Sequence, residues 1–430
     1  MTELLLRLPF LRFDSNVRRS VGHNAIANIA IQALTIVASV IVSRHLGPAG
    51  RGELAAIQIL AMQLCSLGTL GLPSACIYYA AKLENRAESV FGTTWISLGI
   101  LAGPVWLIGW FLLPVLLGPT KNHLIGPARL FLLLVPIQFL GNLPYYYLQG
   151  VKAFRDWNLV RLQFPILWLI AIAWLYLQRE LTPSRLAVAY LYVMTAHCAT
   201  WMIVVWRRKT RPFTVDRHLI PPLAKYALPS ILSVLPNELN VRLDQLLMAS
   251  MLPSSDLGYY AIAVTASGAG WPLFKAIAQT MLPVLASETN VEKRQAMFRS
   301  AIKKTIVLSV VVCSLMTIGV PILLLVFFGD GFKSSIPMAV ILVWAAAITN
   351  VNTVFADGFR GRHRPSVPLL AEISGLLVTI PGLIFALPRW HGIGAAAVSF
   401  ASYAATALVY GALSGSLWRE AKNNDGNGKA

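Results

Sequence analysis

Charge is scarce in this chain, and negative charge is scarcest. Only 13% of its 430 residues are charged, about half the share of an ordinary soluble domain. The 18 acidic residues face 36 basic ones, for a net charge of +18. Cysteine is rare as well. Cys65, Cys76, Cys198 and Cys313 each fall inside an apolar run with no paired spacing, which excludes a disulfide framework or a cysteine metal site and leaves small core residues. No Gly-Lys-Ser/Thr ending follows a glycine-rich stretch, so no nucleotide phosphate loop is present. Long polar connections are missing too. The longest, about 207–221, carries "RRKTRPFTVDRH".

What the chain has instead is apolar sequence. Hydrophobic residues make up 56% of it, in runs of about 20, the length that crosses a bilayer. One soluble core does not need so much, because cores stop growing near 250–300 residues. The pattern predicts an all-α polytopic membrane protein. Twelve spans are expected near 22–45, 53–81, 88–117, 125–149, 156–178, 184–206, 222–252, 256–286, 300–328, 335–358, 365–388 and 392–417. Residues 1–21 are broken by Arg7, Pro9 and Arg12 and read as a basic amphipathic segment on the membrane surface, without the apolar core or cleavage site of a signal peptide.

Lys and Arg set the orientation. With the N-terminus inside, 26 of the 36 basic residues fall on the inner side, 8 on the outer, and Arg242 and Lys275 within spans. Both termini are therefore expected in the cytoplasm. The charge sits in short loops suited to anionic membrane lipid, and no span shows the interleaved basic and aromatic surface of a nucleic-acid binder.

The stretch "LGPAGRGELAAI", Leu46 to Ile57, has an echo in "LPSSDLGYYAIA", Leu252 to Ala263. Gly52 falls on Gly258, an offset of 206. "NLPYYYLQG", ending at Gly150, falls on "NVNTVFADG", ending at Gly358, an offset of 208 that also places Asn142 on Asn350. Two matches at nearly one offset divide the chain into halves of six spans. An even number of spans gives both halves one orientation and a pseudo-two-fold axis along the membrane normal. The expected organisation is an N-terminal segment 1–21, a first bundle 22–206, a cytoplasmic linker 207–221, a second bundle 222–417 and a cytoplasmic tail 418–430. The glycine-rich stretch itself reads as an outer turn without chemistry.

"SRHLGPAGRGELAAIQ" after the first span, "RLDQLLMASMLPSSDLGYYAIA" across the seventh and eighth, and "YYYLQGVKAFRDWN" after the fourth resemble the polysaccharide or oligosaccharide flippases. These belong to the multidrug/oligosaccharidyl-lipid/polysaccharide exporter superfamily. The resemblance runs over nearly the whole chain. It implies two six-helix bundles in a V around a central cavity, alternating access, and a polyprenyl-diphosphate-linked oligosaccharide as substrate. Twelve spans fit the O-antigen or capsule repeat-unit type better than the lipid II flippases, which have two more helices. A polysaccharide polymerase and glycosyltransferases are the implied partners, and the expected site is the inner membrane.

Charged side chains within spans are the candidates for function, because each is costly unless it faces a cavity or a partner. The seventh span holds Glu238, Arg242 and Gln245 on one stripe and Asn237, Asn240 and Asp244 on another. Glu238 and Arg242 read equally as a self-neutralising i, i+4 pair or as cavity groups. Asp244 reads as a structural acid tied to a neighbouring helix. Lys275, with Gln279 one turn on, has no carboxylate within a turn on its own helix and reads as a cation facing an anionic substrate. Asn24, Asn28 and Gln32 share a face of the first span and suit interhelical hydrogen bonds. The expected substrate-binding set is Lys275, Arg242, Gln279 and Asn28, with Glu238 and Asp244 as candidates for ion coupling. No metal, cofactor or catalytic residue is expected. A drug exporter of the same superfamily is the alternative, favoured by carboxylates in the cavity. A polymerase would need a long outer loop, and a glycosyltransferase an acidic metal-binding motif; the sequence has neither.

Overall fold

The computed structural model describes residues 15–209, 212–270, 291–360 and 366–427. All regular structure in them is helical. The first part of the chain forms α1 (Ser15–Leu67), α2 (Leu72–Lys82), α3 (Ala87–Leu117), α4 (Asn122–Phe131), α5 (Leu134–Gly141), α6 (Leu143–Gly150), α7 (Phe154–Leu177) and α8 (Pro183–Arg208). The second forms α9 (Ile220–Met251), α10 (Ser254–Ser267), α11 (Val291–Phe328), α12 (Ser335–Arg360) and α13 (Ser366–Asn427). Among the described residues eight helices are long and apolar enough to cross a membrane, or nine if the bent pair within 217–251 is one span.

The difference from twelve has a physical origin. α1 and α13 each carry two expected spans, fused at a kink. In α1 the kink is Gly47, with φ 66°, followed by Pro48. Only glycine adopts that left-handed conformation freely, and the proline removes a backbone donor, so the chain turns a corner without a loop. In α13 the kink is His391, three residues after Pro388. α10 is the first part of the eighth expected span, which continues outside the described residues.

The chain is an all-α membrane protein with its helices in two bundles. α1 packs on α7 and α8, and α3 on α5. In the second part α13 packs on α9 and α12, and α12 on α11. Contacts between the two parts run chiefly between α1 and α10 and between α2 and α9. All four cysteines are free and buried.

The two ends of the molecule are held differently. At the end carrying Gly52, Lys121 is 3% exposed and donates to the carbonyls of Ala249 (2.5 Å) and Leu252 (2.6 Å). Arg44 donates to the carbonyl oxygens of Phe327, at 2.6 Å, and Val326. Each cation meets the carboxyl end of a helix from the other part of the chain, where the helix dipole favours it. At the opposite end Tyr78 stacks on Tyr226 with ring centroids 4.5 Å apart. The connection after α8 docks on α3 there. Asp216 pairs with Arg86, its N–H donates to Thr93 Oγ1 at 2.9 Å, and Ser89 and Thr214 hydroxyls meet at 2.9 Å.

Candidate functional site

The fourth expected span is one helix by composition but three by structure. α4 stops at Phe131, α5 runs Leu134–Gly141, and α6 begins at Leu143 with Pro144 in its first turn. The second span is broken likewise. α1 ends at Leu67 and α2 starts at Leu72, after Leu70 and Gly71 at positive φ. In a bilayer, irregular backbone is tolerated only where protein or a water-filled cavity covers it. Here the two breaks border one cavity of about 350 Å³. Ser66, Thr69, Gln138, Asn142 and Tyr146 give it polar lining, against Met62, Leu98, Phe139 and Tyr190.

Glu238 of α9 meets one residue of the cavity wall. Its carboxylate accepts from Ser66 Oγ at 3.1 Å. Arg242, one turn on, is exposed, and among the described residues no ion pair within 4 Å joins it to Glu238. The i, i+4 neutralisation does not form. Asp244 turns the other way. It is 4% exposed, accepts from Tyr260 of α10 and from Ser399 of α13 at 3.3 Å, and takes the N–H of Gln245 at 2.6 Å. Asn240 Oδ1 accepts from Thr379 and, at 3.0 Å, from Ser402. Asn237 donates to Glu372 at 3.4 Å. The stripe of Asn237, Asn240 and Asp244 therefore faces α10 and α13, as interhelical hydrogen bonding. The two carboxylates considered together from sequence lie in separate surroundings.

Asn28 is half-buried and its Oδ1 accepts from Arg161 Nη2 at 2.6 Å. Arg161 corrects the charge sorting, which grouped it with the loop cations. It is the eighth residue of α7, inside the fifth span. Its guanidinium lies over the Trp157 ring, 4.3 Å from the centroid. Tyr145 sits beside Trp157 at 5.3 Å and edge-on to Trp201 at 5.5 Å. Lys275 and Gln279 lie outside the described residues, so of the expected substrate-binding set the structure places Arg242 and Asn28 alone, and it does not bring these two together by any bond among the described residues. No cluster of His, Cys, Asp and Glu suited to a metal occurs among them.

Sequence reasoning missed Ser66, Thr69, Gln138 and Tyr146. The signals were present: "GTLGLP" (68–73) and "LGNLP" (140–144) put glycine and proline inside apolar runs, the mark of an interrupted span.

Similarity to known proteins agrees with this architecture. A multidrug resistance MATE family transporter of the MOP superfamily, inward-facing, superposes with a TM-score of 0.69 at 17% identity, over 91% of this chain and 99% of that one. The lipid II flippase MurJ, in an inward closed conformation, gives 0.72 at 12% identity over 90% and 86%. A MOP superfamily transporter from Pyrococcus furiosus, described as having a binding pocket of reversed polarity, gives 0.63 at 18% over 96% and 97%. At these identities the likeness establishes the fold. No curated protein matches the chain. Residues 17–289 match the family described as polysaccharide biosynthesis protein, which is more than half of the sequence; the chain belongs to that family of membrane proteins.

Proposed function

We propose that the chain flips lipid-linked diphosphate oligosaccharides across the cytoplasmic membrane, by alternating access, for surface polysaccharide synthesis. The observation that carries this reading is the cavity at the two broken helices. Its polar wall is mostly neutral, made of Ser66, Thr69, Gln138, Asn142 and Tyr146. Such groups replace water around sugar hydroxyls without a fixed charge. A diphosphate also needs cations, a role the sequence offers to Arg242 and Lys275, with Gln279 and Asn28 as hydrogen-bonding groups. Membership of the polysaccharide family supports the substrate class. The bundles are assigned to 22–206 and 222–417 with a cytoplasmic linker at 207–221. The 26-to-8 distribution of basic residues supports cytoplasmic termini. A polymerase and glycosyltransferases are the partners such a substrate requires.

A second reading, cation-coupled export of a drug or small molecule, draws on the carboxylates Glu238 and Asp244, the candidates for ion coupling. One experiment separates the two. In a strain lacking its own flippase, the wild-type chain restores surface polysaccharide. Lys275→Ala abolishes that restoration at normal membrane abundance, and Lys275→Arg keeps part of it. Drug resistance without restored polysaccharide supports the export reading instead.

A further inference from the structure

Arg161 is a charge in the wrong company for a structural arginine. It stands seven residues beyond the start of α7, about 10 Å along the helix axis, inside the fifth span. There a cation is ordinarily neutralised by a carboxylate. Among the described residues none lies within 4 Å of it. Its partner is the neutral amide of Asn28, which takes one N–H at 2.6 Å and leaves the positive charge uncompensated. The face of Trp157, its centroid 4.3 Å from the guanidinium carbon, supports the cation without using its N–H donors. The indole N–H of Trp157 is itself buried without an acceptor among the described residues. Tyr145 and Trp201 extend the aromatic floor. A guanidinium with free donors, on aromatic rings and with no carboxylate within 4 Å among the described residues, is an incomplete ion pair.

We infer that Arg161, positioned by Asn28 and Trp157, is an anion-binding site whose ligand is the diphosphate of a lipid-linked substrate. The identity of the anion rests on the function proposed above; the incomplete ion pair does not. A planar fork of N–H donors matches phosphate oxygens two at a time. The neutrality of Asn28 is part of the design. An aspartate there would hold the same geometry and cancel the charge.

That contrast supplies the test. The purified full-length chain in detergent is melted with farnesyl diphosphate, inorganic pyrophosphate or farnesol. Farnesyl diphosphate is expected to raise the melting temperature and farnesol is not. Pyrophosphate as effective as farnesyl diphosphate identifies the phosphates as the recognised group; a weaker response assigns a share to the lipid. Asn28→Asp is expected to fold at least as stably as wild type and to need about tenfold more diphosphate for half the shift, the loss of one charge-assisted interaction. Arg161→Gln is expected to lose the shift and Arg161→Lys to keep part of it. A wild-type chain indifferent to both diphosphates, or an Asn28→Asp chain as responsive as wild type, overturns the assignment. Polysaccharide restoration is scored separately. If Arg161→Gln restores it fully and binds diphosphate normally, the site fails and the flippase reading stands. If wild type binds diphosphate through Arg161 but restores no polysaccharide, the site stands and that reading fails.

Discussion

Gly52 and Gly258 meet backbone to backbone, and each stands to the other as the other stands to it. A methyl group on Gly52 would lie 1.6 Å from the carbonyl oxygen of Ser254 and 2.9 Å from the nitrogen of Gly258. One on Gly258 would lie 1.9 Å from the carbonyl oxygen of Pro48 and 3.1 Å from the nitrogen of Gly52. Pro48 and Ser254 are each four residues before their glycine, and 206 apart like the glycines themselves. Reciprocity of this kind is the signature of a self-complementary two-fold contact. Two copies of one motif, repeated along the chain, pack on each other where the halves join.

The contact leaves no room for a side chain. Gly52→Val and Gly258→Val should each destabilise the protein by about 1–3 kcal/mol or more, since the obstacle is backbone. A fall in melting temperature and membrane abundance checks this. Gly103→Ala is the control, because nothing lies within 4 Å of a methyl placed there, and alanine is the better helix former. Equal tolerance of valine at Gly52 and alanine at Gly103 would remove the close contact.

The two acids of α9 should separate stability from transport. Asp244→Ala strands the hydroxyls of Tyr260 and Ser399 in a buried place, at a cost of about 1–3 kcal/mol. Glu238→Ala gives up a hydrogen bond to Ser66 at the edge of the cavity and should stay within about 0.5 kcal/mol of wild type. Any large effect of Glu238→Ala should therefore appear in transport at unchanged abundance. Thermal melts beside transport assays decide it, and a destabilised Glu238→Ala chain argues for a structural acid.

How far the sequence carried depended on the signal each feature leaves. Length and apolarity of a span are written in some twenty residues at once, so the helical membrane fold was legible. The repeat was legible because Gly52 and Gly258 recur at one offset, but their contact was not: the stretch reads as a plain outer turn, and only the fold brings the two glycines backbone to backbone. Breaks inside spans were not read, although Gly71–Leu72–Pro73 and Asn142–Leu143–Pro144 announce them, because hydropathy averages over them. Arg161 was hidden by proximity to a loop: periodicity places it on α7, but only the fold brings Asn28 to it from 133 residues away. The direction of Glu238 against Asp244 follows from which helices surround α9, information no single helix contains.

Orientation is checked by labelling. In a cysteine-free background, single cysteines replacing Pro48, Asn122 and Ser255 should react with an impermeant thiol reagent in intact cells, and one replacing Lys209 should not. The first three lie at the end of the molecule where Lys121 joins α9, and Lys209 follows α8 at the other. Reaction at Lys209 from outside would invert the assignment made from basic residues.

The buried Lys121 should hold that end of the molecule together and show itself in alkaline solution. Its ammonium completes the carboxyl end of α9 through Ala249 and Leu252. Lys121→Met keeps the apolar stem and deletes both donors, so two carbonyls lose partners and about 1–3 kcal/mol should be lost. Burial lowers the pKa of Lys121 from 10.5, and the charge of Asp256 opposes that shift without cancelling it. In the unfolded chain the group returns to its ordinary value. Between the lowered folded value and 10.5 the unfolded chain binds more protons, so this group makes stability rise with pH across that window. Below the window its contribution is flat. The difference in stability between wild type and Lys121→Met therefore reports on the lysine. That difference should widen as the pH climbs toward 10.5, measured by thermal unfolding in detergent at a series of pH values. A gap that narrows instead would mean that Lys121 is better stabilised as a cation in the folded protein than in water, and that Asp256, not burial, dominates its surroundings.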